Sequence, residues 1–124
     1  MKNRGILTSE LRSDGKLSIH ISEGDIWMTR PEITAFLGVF TQSFVANLRE
    51  ALKNGELQEY DNIRVNDKGT TLYSFDVVLT LIFRCKGGYC RPIREWIKQR
   101  IKKPIVEHRQ PIIISLGKGI SSIS

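Results

Sequence analysis

The sequence predicts an α+β fold, a winged-helix-like domain with an N-terminal β-hairpin, a helix-turn-helix, a wing hairpin and two further helices. Apolar residues recur at helical spacing on both sides of Gly38. A strong turn signal at residues 66–69 then separates two short β-prone stretches. Two more helical segments follow. We expect residues 1–103 to form this domain and residues 104–124 to form a mobile or partner-dependent C-terminal tail.

The N-terminal hairpin is predicted from two β-prone stretches, residues 6–11 and 16–21, that are joined through Asp14-Gly15. An Asp-Gly pair supplies the positive φ angles of a tight hairpin turn. The second stretch alternates apolar and polar residues, so one of its faces is expected to be buried. A further short strand is expected at residues 26–28.

The helix-turn-helix is predicted at residues 29–54. Thr29 has the properties of a helix N-cap, because Pro31 follows in the first turn and Glu32 stands at capping-box spacing. Gly38 is expected to end this helix. A second helix over residues 41–53 carries apolar residues at i, i+4, i+7 and i+8. In a helix-turn-helix, the N-terminal part of the second helix enters the major groove.

The outward face of the second helix is therefore the candidate DNA-reading surface. Gln and Asn side chains can pair with adenine edges, and Ser and Thr hydroxyls can contact phosphates. The candidates are Thr41, Gln42, Ser43, Asn47, Arg49 and Lys53. The alternative interpretation is an ordinary pair of amphipathic helices with a polar outer face.

Charge is distributed unevenly along the 124-residue chain, whose net charge is +6. Residues 84–124 contain ten basic and two acidic side chains, whereas residues 1–83 contain nine basic and eleven acidic ones. Such asymmetry suggests an anionic partner, first of all nucleic acid. Residues 29–57 carry three charges of each sign. Because DNA affinity depends largely on phosphate neutralisation, a neutral helix pair needs basic groups from elsewhere.

Two later segments can supply those groups. The wing hairpin, residues 63–65 and 70–73, provides Arg64 and Lys68. A last helix over residues 91–103, ended by Pro104, presents one basic stripe. The stripe consists of Arg91, Arg94, Lys98 and Lys102. A solvated surface face and an amphipathic membrane-surface helix are the alternatives for this stripe. Between wing and stripe, residues 75–84 are expected to form the most buried helix.

Several function classes find little support in the sequence. No apolar run approaches the roughly 20 residues of a membrane span, and we expect neither a signal peptide nor a membrane partner, which favours a cytoplasmic protein. We see no nucleophile–His–acid set, Gly-rich phosphate loop or metal-ligand spacing, so we expect no enzyme activity, cofactor or small-molecule substrate.

Cys85 and Cys90 flank Gly87-Gly88. Reduced structural thiols are the simpler interpretation, and a regulatory disulfide is the alternative.

Five short motifs stand along the chain, at residues 24–29, 53–57, 72–79, 83–86 and 93–97. Together they resemble the N-terminal region of RhuM-family (virulence-associated) bacterial proteins, and the resemblance covers residues 15–102. It implies a presumed DNA-binding role, frequent carriage on mobile or pathogenicity-associated DNA, and no established catalytic activity. Because the chain stops soon after Lys103, we expect any C-terminal effector part to be missing. The Gly87-Gly88 link replaces a more polar turn of the family.

The sequence thus favours a DNA-binding regulator, with double-stranded DNA as its partner and a homodimer as a possible assembly. The second hypothesis is a non-enzymatic module that uses the same fold to dimerise or to dock another protein. In that case the apolar run at residues 111–116 could pair with another chain's sheet edge.

Overall fold

The computed structural model describes the backbone of residues 4–108 and the side chains of residues 4–102. The fold is α+β, as expected. In chain order the elements are β1 (Arg4–Gly5), β2 (Leu7–Leu11), β3 (Leu17–Ile21), β4 (Asp25–Met28), α1 (Arg30–Leu37), α2 (Thr41–Lys53), α3 (Glu59–Asn62), β5 (Ile63–Val65), β6 (Thr71–Ser74), α4 (Phe75–Arg84) and α5 (Cys90–His108). The chain divides into two compact units between Arg94 and Glu95, and each is described by itself. The sequence-based boundary at residue 103 stays a prediction.

The strands form two sheets. The larger has the order β1-β4-β6-β5, with β1 parallel to β4 and the other two pairings antiparallel. The smaller is the predicted N-terminal hairpin, in which β2 and β3 pair antiparallel from Leu7–Ile21 to Leu11–Leu17. The hairpin is attached to α1 by a hydrogen bond of 2.7 Å from the Ser9 hydroxyl to the Phe36 carbonyl. The two-residue strand β1 was not predicted, because it is too short to show any periodicity.

Helices α1 and α2, the pair predicted to form a helix-turn-helix, have the predicted bounds. The Thr29 hydroxyl accepts the Glu32 backbone N–H, and the Glu32 carboxylate accepts the Thr29 N–H, so the capping box is confirmed. Gly38 ends α1 in the left-handed conformation with φ 67°. Helix α1 packs against α2, and α2 packs against α4, around one apolar core. The fully buried side chains of this core include Ile33, Leu37, Phe44, Ala51, Val78 and Leu81.

The helices that follow differ in part from the expectations. The expected polar connector contains a short helix, α3, whose Asn62 accepts a 2.7 Å hydrogen bond from the Ser74 hydroxyl. Only the inner face of α4 is buried, since Phe75 and Phe83 at its ends are exposed. The predicted stop at Pro104 is wrong, because α5 continues to His108. A proline inside a helix removes one i→i−4 hydrogen bond and its ring crowds the carbonyl four residues earlier, which kinks or ends a helix. Here the backbone is helical on both sides of Pro104.

Two sequence-based expectations meet the limits of the described chain. The apolar run at residues 111–116 lies outside the described residues. Within residues 4–108, no helix is both long enough and apolar enough to cross a bilayer.

Candidate nucleic-acid interface

A polar stripe along the outer face of α2 is the best candidate for a DNA-reading surface. Gln42, Ala46, Arg49 and Lys53 are exposed and spaced at i, i+4, i+7 and i+11. At about 100° per residue, this spacing places them on one side of the helix, opposite the buried Phe44. Thr41, in the first turn, is also exposed. Three of the six predicted recognition residues therefore share one accessible face and a fourth, Thr41, is exposed beside it. We call Gln42, Ala46, Arg49 and Lys53 the α2 stripe.

Ser43 and Asn47 do not belong to that face, which corrects their predicted exposure. Both side chains are half-buried and approach the sulfur of Cys85 at the end of α4. The Ser43 hydroxyl lies 3.6 Å and the Asn47 amide nitrogen 3.5 Å from Cys85 Sγ. Asn47 also donates a 2.9 Å hydrogen bond to the Ser43 carbonyl. Helical geometry explains the difference, because positions 43 and 47 lie between the outer stripe and the buried face.

The turn between α1 and α2 is held by the linker that joins α4 to α5, residues 86–89. The Tyr89 N–H donates a 2.7 Å hydrogen bond to the Leu37 carbonyl. The approach of the two segments is so close that a Cβ on Gly88 would lie 2.6 Å from that carbonyl oxygen. A Cβ on Gly38 would lie 2.9 Å from the Tyr89 ring. The linker therefore fixes the turn that sets the angle between α1 and α2, which the sequence did not reveal.

An exposed aromatic side chain stands immediately before the stripe. Phe40 is 82% exposed at the N-cap position of α2, where it makes no capping hydrogen bond through its side chain. A large apolar side chain in this position can contact thymine methyl groups in a major groove. The sequence patterns did not single out this residue.

The β5–β6 hairpin carries the two predicted wing residues. Asn66 Oδ1 accepts the backbone N–H groups of Lys68 and Thr70 at 2.9 and 3.0 Å, which fixes the tip and leaves the Lys68 side chain exposed. The Arg64 guanidinium lies 3.8 Å from the centre of the Trp27 ring. Stacking of this kind restrains the guanidinium but leaves its in-plane N–H groups available to a phosphate.

Arg94 does not take part in an open basic stripe. Its Nη1 donates hydrogen bonds of 2.8 Å to the Ile82 carbonyl and 3.2 Å to the Cys85 carbonyl, and the side chain is half-buried. The last carbonyls of a helix have no partner within the helix, and a guanidinium satisfies them well. The predicted phosphate role of Arg94 is thus replaced by a contact that caps the end of α4.

The other three members of the predicted stripe are exposed. Arg91 lies in the unit that ends at Arg94, and Lys98 and Lys102 lie in the unit that begins at Glu95. Within the latter unit, Lys98 forms a 3.5 Å ion pair with Glu95. An exposed pair of this length contributes little stability.

In the first unit, the positions of the charged side chains matter more for binding an anion than the net charge does. Residues 4–94 contain twelve basic and eleven acidic side chains, a net charge of +1. Among the described side chains, the ion pairs of this unit are Arg4–Glu32, Arg12–Asp14 and Arg84–Glu56. None of them uses the basic groups of the α2 stripe or of the wing tip. Those groups therefore remain available to an anionic ligand.

Beside the α2 stripe lies an apolar groove of about 360 Å³. Its lining residues are Arg30, Phe44, Val45, Leu48, Arg49, Leu52 and Tyr73. Val45 is 38% exposed although the helical pattern assigned it to the apolar side. The groove is a surface on which an apolar partner could pack, and the sequence patterns did not distinguish it from the core.

A second cleft, of about 430 Å³, lies at the start of α4 and has the opposite electrostatic character. Asp25, Asp61 and Asp76 line it together with Asn62 and Ser74. Three carboxylates disfavour phosphate there. Within residues 4–108, however, no group of three acidic, cysteine or histidine side chains is arranged to hold a metal ion.

Comparisons with family models, with curated proteins and with solved structures return no match to this chain.

Proposed function

We propose that this protein binds duplex DNA in a winged-helix arrangement, with α2 in the major groove and the β5–β6 hairpin as the wing. The α2 stripe carries the proposal, because it presents Gln42, Arg49 and Lys53 on one accessible face. Gln is suited to adenine edges, and Arg to the O6 and N7 atoms of guanine. A role as a regulator on a mobile element, as the RhuM-like motifs imply, belongs to the same proposal.

The phosphate grip is assigned to exposed basic groups outside the α2 stripe. Lys68 at the wing tip and the in-plane N–H groups of Arg64 would contact the phosphate backbone of the DNA on one side of α2. Arg91, Lys98 and Lys102 on α5 add positive potential, which raises the local concentration of DNA. Arg94 is left out, because its guanidinium is engaged with the end of α4.

The test is fluorescence anisotropy with a labelled random-sequence duplex, titrated at several salt concentrations. On a random-sequence duplex the basic side chains of the α2 stripe meet phosphates as well as base edges. The double variant Arg49→Ala/Lys53→Ala should therefore weaken binding and reduce the slope of log affinity against log salt by up to about 1.8, since each lost phosphate contact contributes about 0.9. The matched control is Arg12→Ala/Lys16→Ala, which removes the same charge from the hairpin turn. Absence of binding at low salt, or equal effects of both double variants, contradicts the proposal.

A second candidate function, self-association, is favoured by the apolar groove. Groove residues Val45, Leu48 and Leu52 repeat along one side of α2, a pattern that suits a helix or a second copy of the chain. Size-exclusion chromatography with light scattering tests it. A dimer that Val45→Glu converts to a monomer supports this function, and a monomer at every concentration contradicts it.

A further inference from the structure

The strongest unassigned chemistry lies at the junction of α2, α4 and the α4–α5 linker, where Cys85 and Cys90 stand at the two ends of the linker. Both are free thiols and both are buried, at 1% and 0% exposure. Arg94, one helical turn after Cys90, donates a 3.2 Å hydrogen bond to the Cys85 carbonyl, which ties the two ends of the linker together. The two thiols therefore stand at the joined ends of one short linker without a bond between them.

Cys85 is the better nucleophile of the pair because its surroundings stabilise a thiolate. The Ser43 hydroxyl and the Asn47 amide approach its sulfur at 3.6 and 3.5 Å. The hydrogen bond from Cys90 contributes most, and Ser43, Arg84 and Arg94 add to it against the effect of burial, so that the pKa of Cys85 falls to about 6. The same hydrogen bond and burial raise the pKa of Cys90. A thiolate beside a neutral thiol is the arrangement of an attacking and a resolving cysteine.

The pair also touches the parts of the fold that place the proposed DNA-reading helix. Ser43 and Asn47 belong to α2, and both approach the Cys85 sulfur. Within the linker, Tyr89 N–H bonds to the Leu37 carbonyl, and Gly88 lies against the turn after α1. A change at the two sulfurs is therefore transmitted directly to α2 and to the turn before it.

We propose that Cys85 and Cys90 form a hydroperoxide-sensitive dithiol whose oxidation to an internal disulfide releases α2 from the end of α4. The Cys85 thiolate attacks one peroxide oxygen and the O–O bond breaks, which gives a sulfenic acid and an alkoxide or hydroxide that takes up a proton. The Cys90 sulfur then attacks Cys85 sulfur, the S–O bond breaks, and hydroxide leaves with the Cys90 proton as water. Two thiols lose two electrons, and one hydroperoxide becomes one alcohol (or water) and one water.

Burial of the two thiols defines the oxidant. Hydrogen peroxide is little larger than water, whereas bulky disulfide reagents require the linker to open. The new disulfide removes the thiolate that accepts from Ser43 and Asn47, so these two side chains lose a shared acceptor. Oxidation should weaken DNA binding only if α2 reads DNA, so this consequence rests on the proposed function. Formation of the disulfide does not depend on that function.

The test uses the full chain, hydrogen peroxide and non-reducing tryptic mass spectrometry. We expect residues 85–86 to be linked to residues 87–94 by one disulfide that dithiothreitol reverses. In Cys90→Ser, dimedone should trap a sulfenic acid at Cys85. In Cys85→Ser, Cys90 should react at least about tenfold more slowly. Absence of the linked peptide, or a sulfenic acid formed preferentially at Cys90, overturns the proposal.

Two further measurements separate the steps of the argument. Ser43→Ala should move the pH profile of Cys85 alkylation by iodoacetamide upward, because one donor to the thiolate is lost; an unchanged profile contradicts the assigned surroundings. Hydrogen exchange in α2 should become faster in the oxidised chain, and unchanged exchange overturns the coupling. If the disulfide forms but the reduced chain binds no duplex, the proposed function fails and the dithiol stands.

Discussion

The contact between the α4–α5 linker and the turn that joins α1 to α2 can be tested by adding one methyl group at Gly88. Gly87 and Gly88 both have positive φ, at 83° and 55°. Alanine at either position therefore costs about 1–2 kcal/mol for the left-handed conformation. At Gly87 the new Cβ meets nothing within 4 Å, whereas at Gly88 it would lie 2.6 Å from the Leu37 carbonyl oxygen and closer still to the Gly38 carbonyl oxygen. Overpacking against backbone adds about 1–3 kcal/mol.

Gly88→Ala should therefore reduce the free energy of unfolding by about 2–5 kcal/mol, against about 1–2 kcal/mol for the control Gly87→Ala. Urea denaturation followed by circular dichroism measures both, with the difference between the variants as the decisive quantity. The amide of Tyr89 should also exchange faster in Gly88→Ala, because its bond to the Leu37 carbonyl is disturbed. Equal destabilisation by the two substitutions would refute the contact between linker and turn.

Three further predictions concern charged groups. Arg94→Ala should lower the free energy of unfolding by about 1.5–3 kcal/mol, because two carbonyls at the end of α4 lose a charged donor. The control Arg91→Ala should change it by less than about 0.5 kcal/mol. Urea denaturation compares the two variants, and equal effects contradict the capping contact of Arg94. Lys68→Ala should leave the free energy of unfolding unchanged and reduce the slope of log DNA affinity against log salt by about 0.9. Fluorescence anisotropy measures this slope, and an unchanged slope removes the wing tip from the interface. The hydrogen bond from Arg4, with one from the Thr29 backbone, holds the pKa of Glu32 below its ordinary value of 4.5, so its contribution to stability is present above that pH and is lost as pH falls through the folded pKa. Glu32→Gln keeps an oxygen that can accept the Thr29 N–H but carries no charge. Its denaturation midpoint should equal that of the wild type at low pH and lie below it at pH values above the pKa of Glu32. A difference in midpoint that is the same at all these pH values contradicts the ion pair with Arg4.

The parts of the fold that follow from local chemistry could be predicted from the sequence. The capping box of Thr29 and Glu32, the left-handed Gly38 and the helical apolar spacing of α2 act within a few residues, so their signals lie next to each other in the chain. The same holds for the hairpin turn at Asp14-Gly15. By contrast, the parallel strand β1 depends on pairing with β4, about 20 residues away, and no local pattern encodes that pairing.

The candidate site was predicted less completely for a related reason. Helical spacing separates an inner from an outer face, but positions such as Ser43 and Asn47 lie on the border between them. Their side chains turn toward Cys85, which is 42 and 38 residues away in sequence. Arg94 fits a basic stripe by spacing, yet the free carbonyls of α4 capture its guanidinium. Such choices are decided by distant neighbours that a single sequence does not bring together.

The central claim, that α2 reads duplex DNA, is tested most directly by mapping the amide resonances that a duplex perturbs in an NMR titration of the reduced chain. We expect the largest shifts at Thr41, Gln42, Ala46 and Arg49, with a second group around Lys68. These shifts should diminish as the salt concentration is raised. Shifts confined to the β2–β3 hairpin or to the acidic cleft at the start of α4, with α2 unperturbed, would contradict this claim.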